Sequence, residues 1–235
     1  METLEFAPGV DHVRVDEDAW ESIHVVGDVH GCLREFDLLL DRLGVTDDDL
    51  VVVVGDLVRK GPDSAGVVER VRGSENVRTV RGNNEEKFLT GEKHPESAGL
   101  TDDHVDWIAD QPVAISLGDA LVVHGGVDPR TPLERQSVDD LQTTRSLATG
   151  YDRPFWWDVH DGPYTVFFGH TPLAAPAVRG HAVGLDTGCV YGGELTAYSY
   201  RTGEFTAVEA AETHEQRAAS KFVEPVRPDQ LPVEA

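Results

Sequence analysis

Six polar side chains stand directly after short apolar runs, at the points where strands of a sheet are expected to end. They are Asp28 and His30 after the run 23–26, Asp56 after 51–54, Asn83 after 77–80, His124 after 121–123, and His170 after 166–168. Three imidazoles, two carboxylates and one amide oxygen, with no thiolate, suit Mn, Fe or Zn rather than Ca or a closed structural zinc site. If Asp56 bridges, two ions held about 3.5–4 Å apart can bind two phosphoryl oxygens and activate a water.

The apolar pattern predicts the elements that must position these side chains. Ligands in open sheets bind beyond the carboxyl ends of strands, so the runs aim their terminal residues at one place. The predicted strands are 22–26, 51–54, 77–80, 113–117, 120–123, 165–168, 182–185, 194–200 and 204–208. The predicted helices are 32–43, 65–72 capped by Ser64, 102–109 capped by Thr101, and 137–148. Residues 1–20 are predicted to form an irregular leader, 21–208 the single domain, and 209–235 an acidic, proline-containing, partly disordered tail.

The composition indicates where the protein is located. The sequence has no uncharged apolar run of about 18 residues, and its N-terminal residues are not a basic stretch followed by an apolar one, so neither a membrane span nor a signal peptide is predicted. Cys32 and Cys189 are far apart and outside any CxxC pattern, which is typical of buried thiols in a reducing compartment. A cytoplasmic protein is therefore expected.

The chain is strongly acidic, with 43 Asp and Glu against 20 Lys and Arg and a formal net charge of −23. No segment carries a basic stripe, so binding to nucleic acid or to anionic membranes through a basic surface is not expected. Carboxylates at this density repel one another unless concentrated salt screens them. A halophilic source is predicted; an acidic interaction domain is the alternative, but the acidic residues are spread along the chain.

Five motifs in order resemble those of the calcineurin-like metallophosphoesterases, and within them the phosphoprotein-phosphatase branch. They are Gly27-Asp28-Val29-His30-Gly31, Gly55-Asp56-Leu57-Val58, Gly82-Asn83, Val123-His124-Gly125-Gly126 and Gly169-His170-Thr171-Pro172. The stretch 185–197 is similar to bacterial and archaeal serine/threonine phosphatases, symmetrical diadenosine tetraphosphate hydrolases and the phosphatase module of bacterial polynucleotide kinase-phosphatases. The resemblance covers about residues 21–208.

The resemblance implies an α/β fold, a four-layer sandwich of two mixed β-sheets flanked by helices, with two divalent metal ions at its edge. Asp28 and His30 would bind the first ion, Asp56 would bridge, and Asn83, His124 and His170 would bind the second. Mn is expected, with Fe or Zn as alternatives. A metal-bridging hydroxide would attack phosphorus in line, without a phosphoenzyme intermediate.

The sequence departs from the family pattern at two motifs. Arg59-Lys60-Gly61 stands where the family has Asp-Arg-Gly, and Asn84 stands where it has a histidine that protonates the leaving group. Both members of the family's Asp–His dyad are therefore absent, while all six metal positions are kept. Arg59 and Lys60 supply positive charge near the phosphate, Asn84 is expected to donate a hydrogen bond to a phosphoryl oxygen, and Arg145 is a candidate phosphate clamp.

Several functions remain open at this stage. The first expectation is a protein phosphatase-like phosphomonoesterase acting on a phosphorylated protein, nucleotide or small molecule. The alternatives are a symmetrical dinucleoside polyphosphate hydrolase and a metal-bound pseudophosphatase that binds phosphorylated partners. Asp186-Thr187-Gly188 matches the aspartic protease tripeptide, but it occurs once and that chemistry needs two carboxylates, so a structural strand-end aspartate is expected. No P-loop pattern is present, His24 is expected in the core, and His181 is given no role.

Overall fold

A computed structural model of the chain describes residues 4–225. Its strands are β1 His12–Val15, β2 Ile23–Val26, β3 Leu50–Val53, β4 Val77–Thr79, β5 Ala114–Leu117, β6 Ala120–Val123, β7 Thr165–Phe168, β8 Ala177–Arg179, β9 Ala182–Gly184, β10 Glu194–Ser199 and β11 Glu204–Glu209. Its α-helices are α1 Leu33–Leu43, α2 Ser64–Arg72, α3 Asn83–Leu89, α4 Asp102–Ala109, α5 Val138–Thr143 and α6 Trp156–Val159. No helix among these residues is long and apolar enough to cross a membrane.

The strands form two mixed sheets. One has six strands in the order β1-β5-β6-β7-β9-β8, and the other has five in the order β11-β10-β2-β3-β4. β2, β3 and β4 are mutually parallel, as are β6, β7 and β9. The carboxyl ends of each parallel set therefore open at one edge of its sheet.

Apolar residues alternate between two faces of each central strand, so each sheet is covered on both sides. In β3, Leu50 and Val52 face the other sheet, whereas Val51 and Val53 pack against the helical layer. In β7, Phe167 lies between the sheets and Phe168 packs outward beneath Trp156. The predicted four-layer α/β sandwich is confirmed.

The structure adds β8, α3 and α6 to the predicted elements and differs from the sequence-based prediction at three further places. Residues 12–15, inside the predicted irregular leader, form β1 and pair in parallel with β5, so that part of the prediction is wrong. α2 is capped by Asp63, whose carboxylate accepts the Gly66 N–H at 2.7 Å, and not by Ser64. The helix predicted over 137–148 stops at Thr143. Beyond Thr143 the chain turns away from the helix, and the Arg145 carbonyl accepts a hydrogen bond from the Trp156 N–H.

The predicted C-terminal tail lies only partly within the described residues. Residues 210–225 lie along the domain and include a 3-10 helix at Ala219–Lys221, while residues 226–235 of the predicted tail lie outside the described residues, as do 1–3. The domain limits of 21–208 stay a prediction. Both cysteines are buried, free thiols, and His24 is buried with its Nδ1 3.0 Å from Ser199 Oγ, as expected of a core histidine.

Candidate metal centre

The six candidate ligands form one group, here called the metal cluster: Asp28, His30, Asp56, Asn83, His124 and His170. The structure brings all six together because the carboxyl ends of the parallel strands in the two sheets meet. Asp28 and Asp56 follow β2 and β3, and Asn83 opens α3 just after β4. His124 and His170 follow β6 and β7 of the other sheet.

Asp56 lies at the centre of the metal cluster. Its Oδ2 is 3.4 Å from His30 Nε2, and its Oδ1 is 3.2 Å from His124 Nε2. Asp28 Oδ2 lies 3.8 Å from His30 Nε2. Each oxygen of one carboxylate thus faces a different imidazole, an arrangement that lets Asp56 face two ions.

Asn83 connects the two histidines of the other sheet. Its Oδ1 is 3.1 Å from His124 Nε2 and 2.9 Å from His170 Nδ1. The contacts divide the cluster into two sets that share Asp56. One set contains Asp28 and His30, and the other contains Asn83, His124 and His170. The motifs imply the same division.

Two of the rings are held in the tautomer that a metal ligand needs. His30 Nδ1 is 3.1 Å from the Val58 carbonyl, and His124 Nδ1 is 2.9 Å from the Val54 carbonyl. A carbonyl only accepts, so each Nδ1 carries the proton and each Nε2 faces the carboxylates. Metal-ligating histidines are oriented by such a bond from the other ring nitrogen. The donor set and its orientation therefore fit a divalent transition-metal centre.

The buried charges are strongly coupled. Burial alone would lower the pKa of His124, but the carboxylates of Asp56 and Asp28 outweigh it and raise that pKa to about 10. Burial would raise the pKa of Asp56, yet His124 and His30 hold it well below its usual range. Burial and the Lys60 ammonium lower the pKa of His30 to about 3. His124 thus balances buried carboxylate charge, which a divalent cation can do more fully.

Backbone strain concentrates at this site. In residues 4–225, every non-glycine residue with positive φ lies at the metal cluster or next to it: His30, Asp56, Arg59, Lys60 and His170. Such conformations cost about 1–3 kcal/mol each and persist where the surrounding structure determines them. A Cβ at Gly169 would overlap Asp28 Oδ1, and one at Gly82 would overlap Asp56 Oδ1, so both positions need glycine for this close approach.

The side chains beside the metal cluster include those singled out in the altered motifs. The Arg59 guanidinium donates to Asn84 Oδ1, and the Asn84 amide donates to Asp56 Oδ2 while its backbone N–H donates to Asp56 Oδ1 at 2.9 Å. Asn84 is buried and its amide is already bonded to Asp56, not directed to a phosphoryl oxygen as expected. Lys60 Nζ lies 2.7 Å from His30 Nε2.

Arg145 contacts the second set of ligands, at His170. Its Nη2 is 2.8 Å from His170 Nε2, and its Nε donates to Thr171 Oγ1 at 2.9 Å. The structure thus places Lys60 and Arg145 beside the histidines of the two different metal sets. Two cations therefore lie directly beside the metal cluster.

Sequence reasoning missed the part played by Glu85. This buried carboxylate accepts three backbone N–H groups, from Gly82 at 2.7 Å, Asp56 at 2.9 Å and Val58 at 3.2 Å. It therefore fixes the loop that carries Asp56 to the start of α3. Burial and the Asp56 charge raise the pKa of Glu85 to about 7. The only sequence signal was its place two residues after Asn83.

Asp186 also lies closer to the site than the sequence suggested. It follows β9 as the candidate ligands follow their strands, and its charge helps to raise the pKa of Asp28 after the larger effect of burial. Its Oδ1 accepts the Gly188 N–H at 3.1 Å, which agrees with the structural role expected for it.

Comparison with known proteins identifies the class. The family model "Calcineurin-like phosphoesterase" matches residues 22–212, and the chain belongs to this family of phosphoesterases. Members of the family typically bind two divalent metal ions, and Asp28, Asp56 and His124 supply a candidate site with ligand atoms within 4.8 Å of one another.

Individual relatives fall into two functional groups. An asymmetrical bis(5′-nucleosyl)-tetraphosphatase from Oceanobacillus iheyensis is 28% identical over 79% of this chain and 91% of its own length. Serine/threonine-protein phosphatase 1 from Salmonella typhimurium is 29% identical over 78% of this chain and 94% of its own length. The crystal structure of a candidate diadenosine tetraphosphatase superposes with a TM-score of 0.76 at 30% identity, covering 86% of this chain and 98% of that one.

Proposed function

We propose that the protein hydrolyses phosphate esters or anhydrides at a two-metal centre. Asp28, His30 and Asp56 would hold one ion, and Asp56 with Asn83, His124 and His170 the other. The observation that carries this proposal is the position of Asp56, whose two oxygens face His30 and His124 at 3.4 and 3.2 Å. Two divalent ions here, Mn first and Fe or Zn as alternatives, would withdraw charge from phosphoryl oxygens and lower the pKa of a water.

Lys60 and Arg145 are proposed to bind the phosphoryl group. Their positive groups lie 2.7 and 2.8 Å from His30 and His170, one beside each set of ligands. Arg145 offers a planar fork for two phosphoryl oxygens, and Lys60 offers a point charge. Together they hold and orient the substrate without taking part in proton transfer.

The leaving-group preference is proposed to follow from Arg59 and Asn84. This hydrogen-bonded pair replaces the Asp–His dyad of the family, and the Asn84 amide has no acidic proton to give to a leaving group. General acid catalysis typically contributes about 10²–10⁴-fold, most where the leaving oxygen is basic. Aryl phosphates and phosphoanhydrides should therefore be better substrates than alkyl esters such as phosphoserine.

The names of the relatives support both a dinucleoside polyphosphate hydrolase and a protein phosphatase-like phosphomonoesterase. Hydrolysis of diadenosine tetraphosphate, an aryl phosphate and a phosphoserine peptide by the Mn-loaded protein separates them. We expect kcat/KM to be at least about tenfold lower for the phosphoserine peptide than for the other two. Equal values would show that another group supplies the proton. Phosphate binding without turnover of any substrate would identify a pseudophosphatase.

The setting of the enzyme is also proposed. The net charge of −23 supports a salt-rich environment, and two free, buried thiols support a reducing cytoplasm.

A further inference from the structure

Five side chains form an arc that connects the two sides of the metal cluster, here called the cation–tyrosine rim: Lys60, Tyr191, Arg217, Tyr151 and Arg145. At one end Lys60 contacts His30, and its Nζ lies 5.3 Å from the centre of the Tyr191 ring. The Arg217 guanidinium lies 4.9 Å from the same ring, and its Nη1 donates to the Tyr191 hydroxyl at 3.2 Å.

The other half of the rim repeats this alternation. Arg217 Nη2 donates to the Tyr151 hydroxyl, and the Arg145 guanidinium lies 4.5 Å from the Tyr151 ring. Arg145 in turn contacts His170. Arg217 is therefore the central member of the rim, bonded to both tyrosines.

Backbone contacts fix the segment that carries Arg217. Ahead of it, the Ala210 and His214 N–H groups donate to Gly193 and Val190 carbonyls at 2.8 and 3.0 Å. Beyond it, the Val223 N–H donates to the Pro172 carbonyl at 2.9 Å. The segment is thus held on both sides of Arg217, and its anchor at Pro172 lies two residues from His170.

The rim is a positive region of a very acidic protein. The ion pairs in residues 4–225 use other basic side chains, and within that range no carboxylate lies within 4.0 Å of the charged groups of Lys60, Arg145 or Arg217. Lys221 Nζ adds a further charge 6.0 Å from the Tyr151 ring. Cations that lack carboxylate partners beside a phosphate site attract anionic groups of the substrate.

We propose that Arg217 and the cation–tyrosine rim bind the phosphoryl groups beyond the one that reacts. The inference rests on the proposed function and narrows its substrate class to phosphoanhydrides, such as nucleoside polyphosphates. Arg145 and Lys60 suffice for the reacting phosphoryl group, which leaves Arg217 to bind the next one through its planar fork. A phosphoserine peptide has no second phosphoryl group for Arg217.

The test is calorimetric binding of two inert ligands to the Mn-loaded protein, methylenediphosphonate and orthophosphate, with bound Mn measured afterwards. Wild-type protein should bind the diphosphonate more tightly. Arg217→Gln should raise the Kd of the diphosphonate by about tenfold and leave that of orthophosphate within about twofold. The matched control is Arg201→Gln, which removes the same charge. Arg201 donates to the Glu17 and Trp20 carbonyls, beyond the end of β10 that lies opposite the metal cluster.

Two outcomes would overturn the rim proposal: equal loss for both ligands, or no loss for the diphosphonate. If Arg217→Gln fails to fold, Tyr151→Phe decides, because it removes only the hydroxyl that receives Arg217 and should selectively weaken the diphosphonate. These Kd values do not depend on turnover. A wild-type protein without hydrolytic activity would therefore contradict the proposed function, while the rim proposal would still be judged by binding.

Discussion

The metal cluster and the cation–tyrosine rim lie side by side but are built differently. Asp28, His30, Asp56 and His124 are buried and stand at strand ends, whereas every member of the rim is partly exposed and lies outside the strands and α-helices. Ligand positions follow from the sheet, while rim positions follow from contacts between side chains of distant segments. We therefore assign the proposed chemistry to the buried part and the proposed selection of the substrate to the rim.

The largest effect is expected at the centre of the buried part. Asp56→Asn should lower turnover by several orders of magnitude, because an amide has only one oxygen, which is uncharged, and cannot present an anionic oxygen to both the His30 side and the His124 side. Steady-state hydrolysis of an aryl phosphate with Mn measures the loss. Asp37→Asn, which changes an exposed carboxylate paired with Arg70, is the control and should retain full activity. Near-normal turnover of Asp56→Asn would show that Asp56 does not bridge.

The second prediction concerns Arg59 and Asn84, the pair that stands in place of the family's Asp–His dyad. Arg59→Asp combined with Asn84→His should raise kcat/KM on an alkyl phosphate by about 10²-fold or more, and on an aryl phosphate by much less. Position 59 has φ 71°, which aspartate adopts more readily than arginine. The gain should exceed the sum of the single changes in free energy, because a histidine beside Arg59 is disfavoured as a cation. Additive gains, or no gain, would mean that the missing dyad does not limit the rate of alkyl ester hydrolysis.

A smaller effect is expected for Glu85, which positions Asp56 without belonging to the metal cluster. Glu85→Gln keeps the shape but places an amide against three backbone N–H groups, so Mn affinity should fall by about 10–100-fold. Titration of the protein with Mn measures the affinity directly. At saturating Mn, activity should largely recover, since the ligands themselves are unchanged. An unaltered Mn affinity would limit Glu85 to a structural role.

The smallest effect is expected from salt, which should act differently on the acidic fold and on the cation–tyrosine rim. Raising KCl to molar levels shortens the Debye length to about 3 Å, which relieves repulsion among the excess acids but also weakens exposed cations. The melting temperature should rise, and the KM for a polyphosphate substrate should rise with it as the rim is screened. A melting temperature that stays flat or falls would contradict the halophilic interpretation. An unchanged KM would show that the rim does not contact substrate.

The sequence by itself determined the central strands and the positions of the candidate ligands, and the resemblance of its motifs to a family implied the four-layer α/β sandwich. The strands and ligand positions are local features: continuous apolar runs such as 51–54 predict buried strands, and the residue after each run stands at the sheet edge. The altered motifs at Arg59 and Asn84 could also be read directly, because each departs from a short pattern.

Only the tertiary structure decided the features that depend on distant pairing. β1 holds only two alternating apolar residues, Val13 and Val15, and none of its four residues is buried, so its pairing with β5 left little local signal. Glu85 gained its role from N–H groups up to 29 residues away, and Arg217 met Tyr151 across 66 residues. Such contacts form because folding brings the segments together, and no spacing within either segment encodes them.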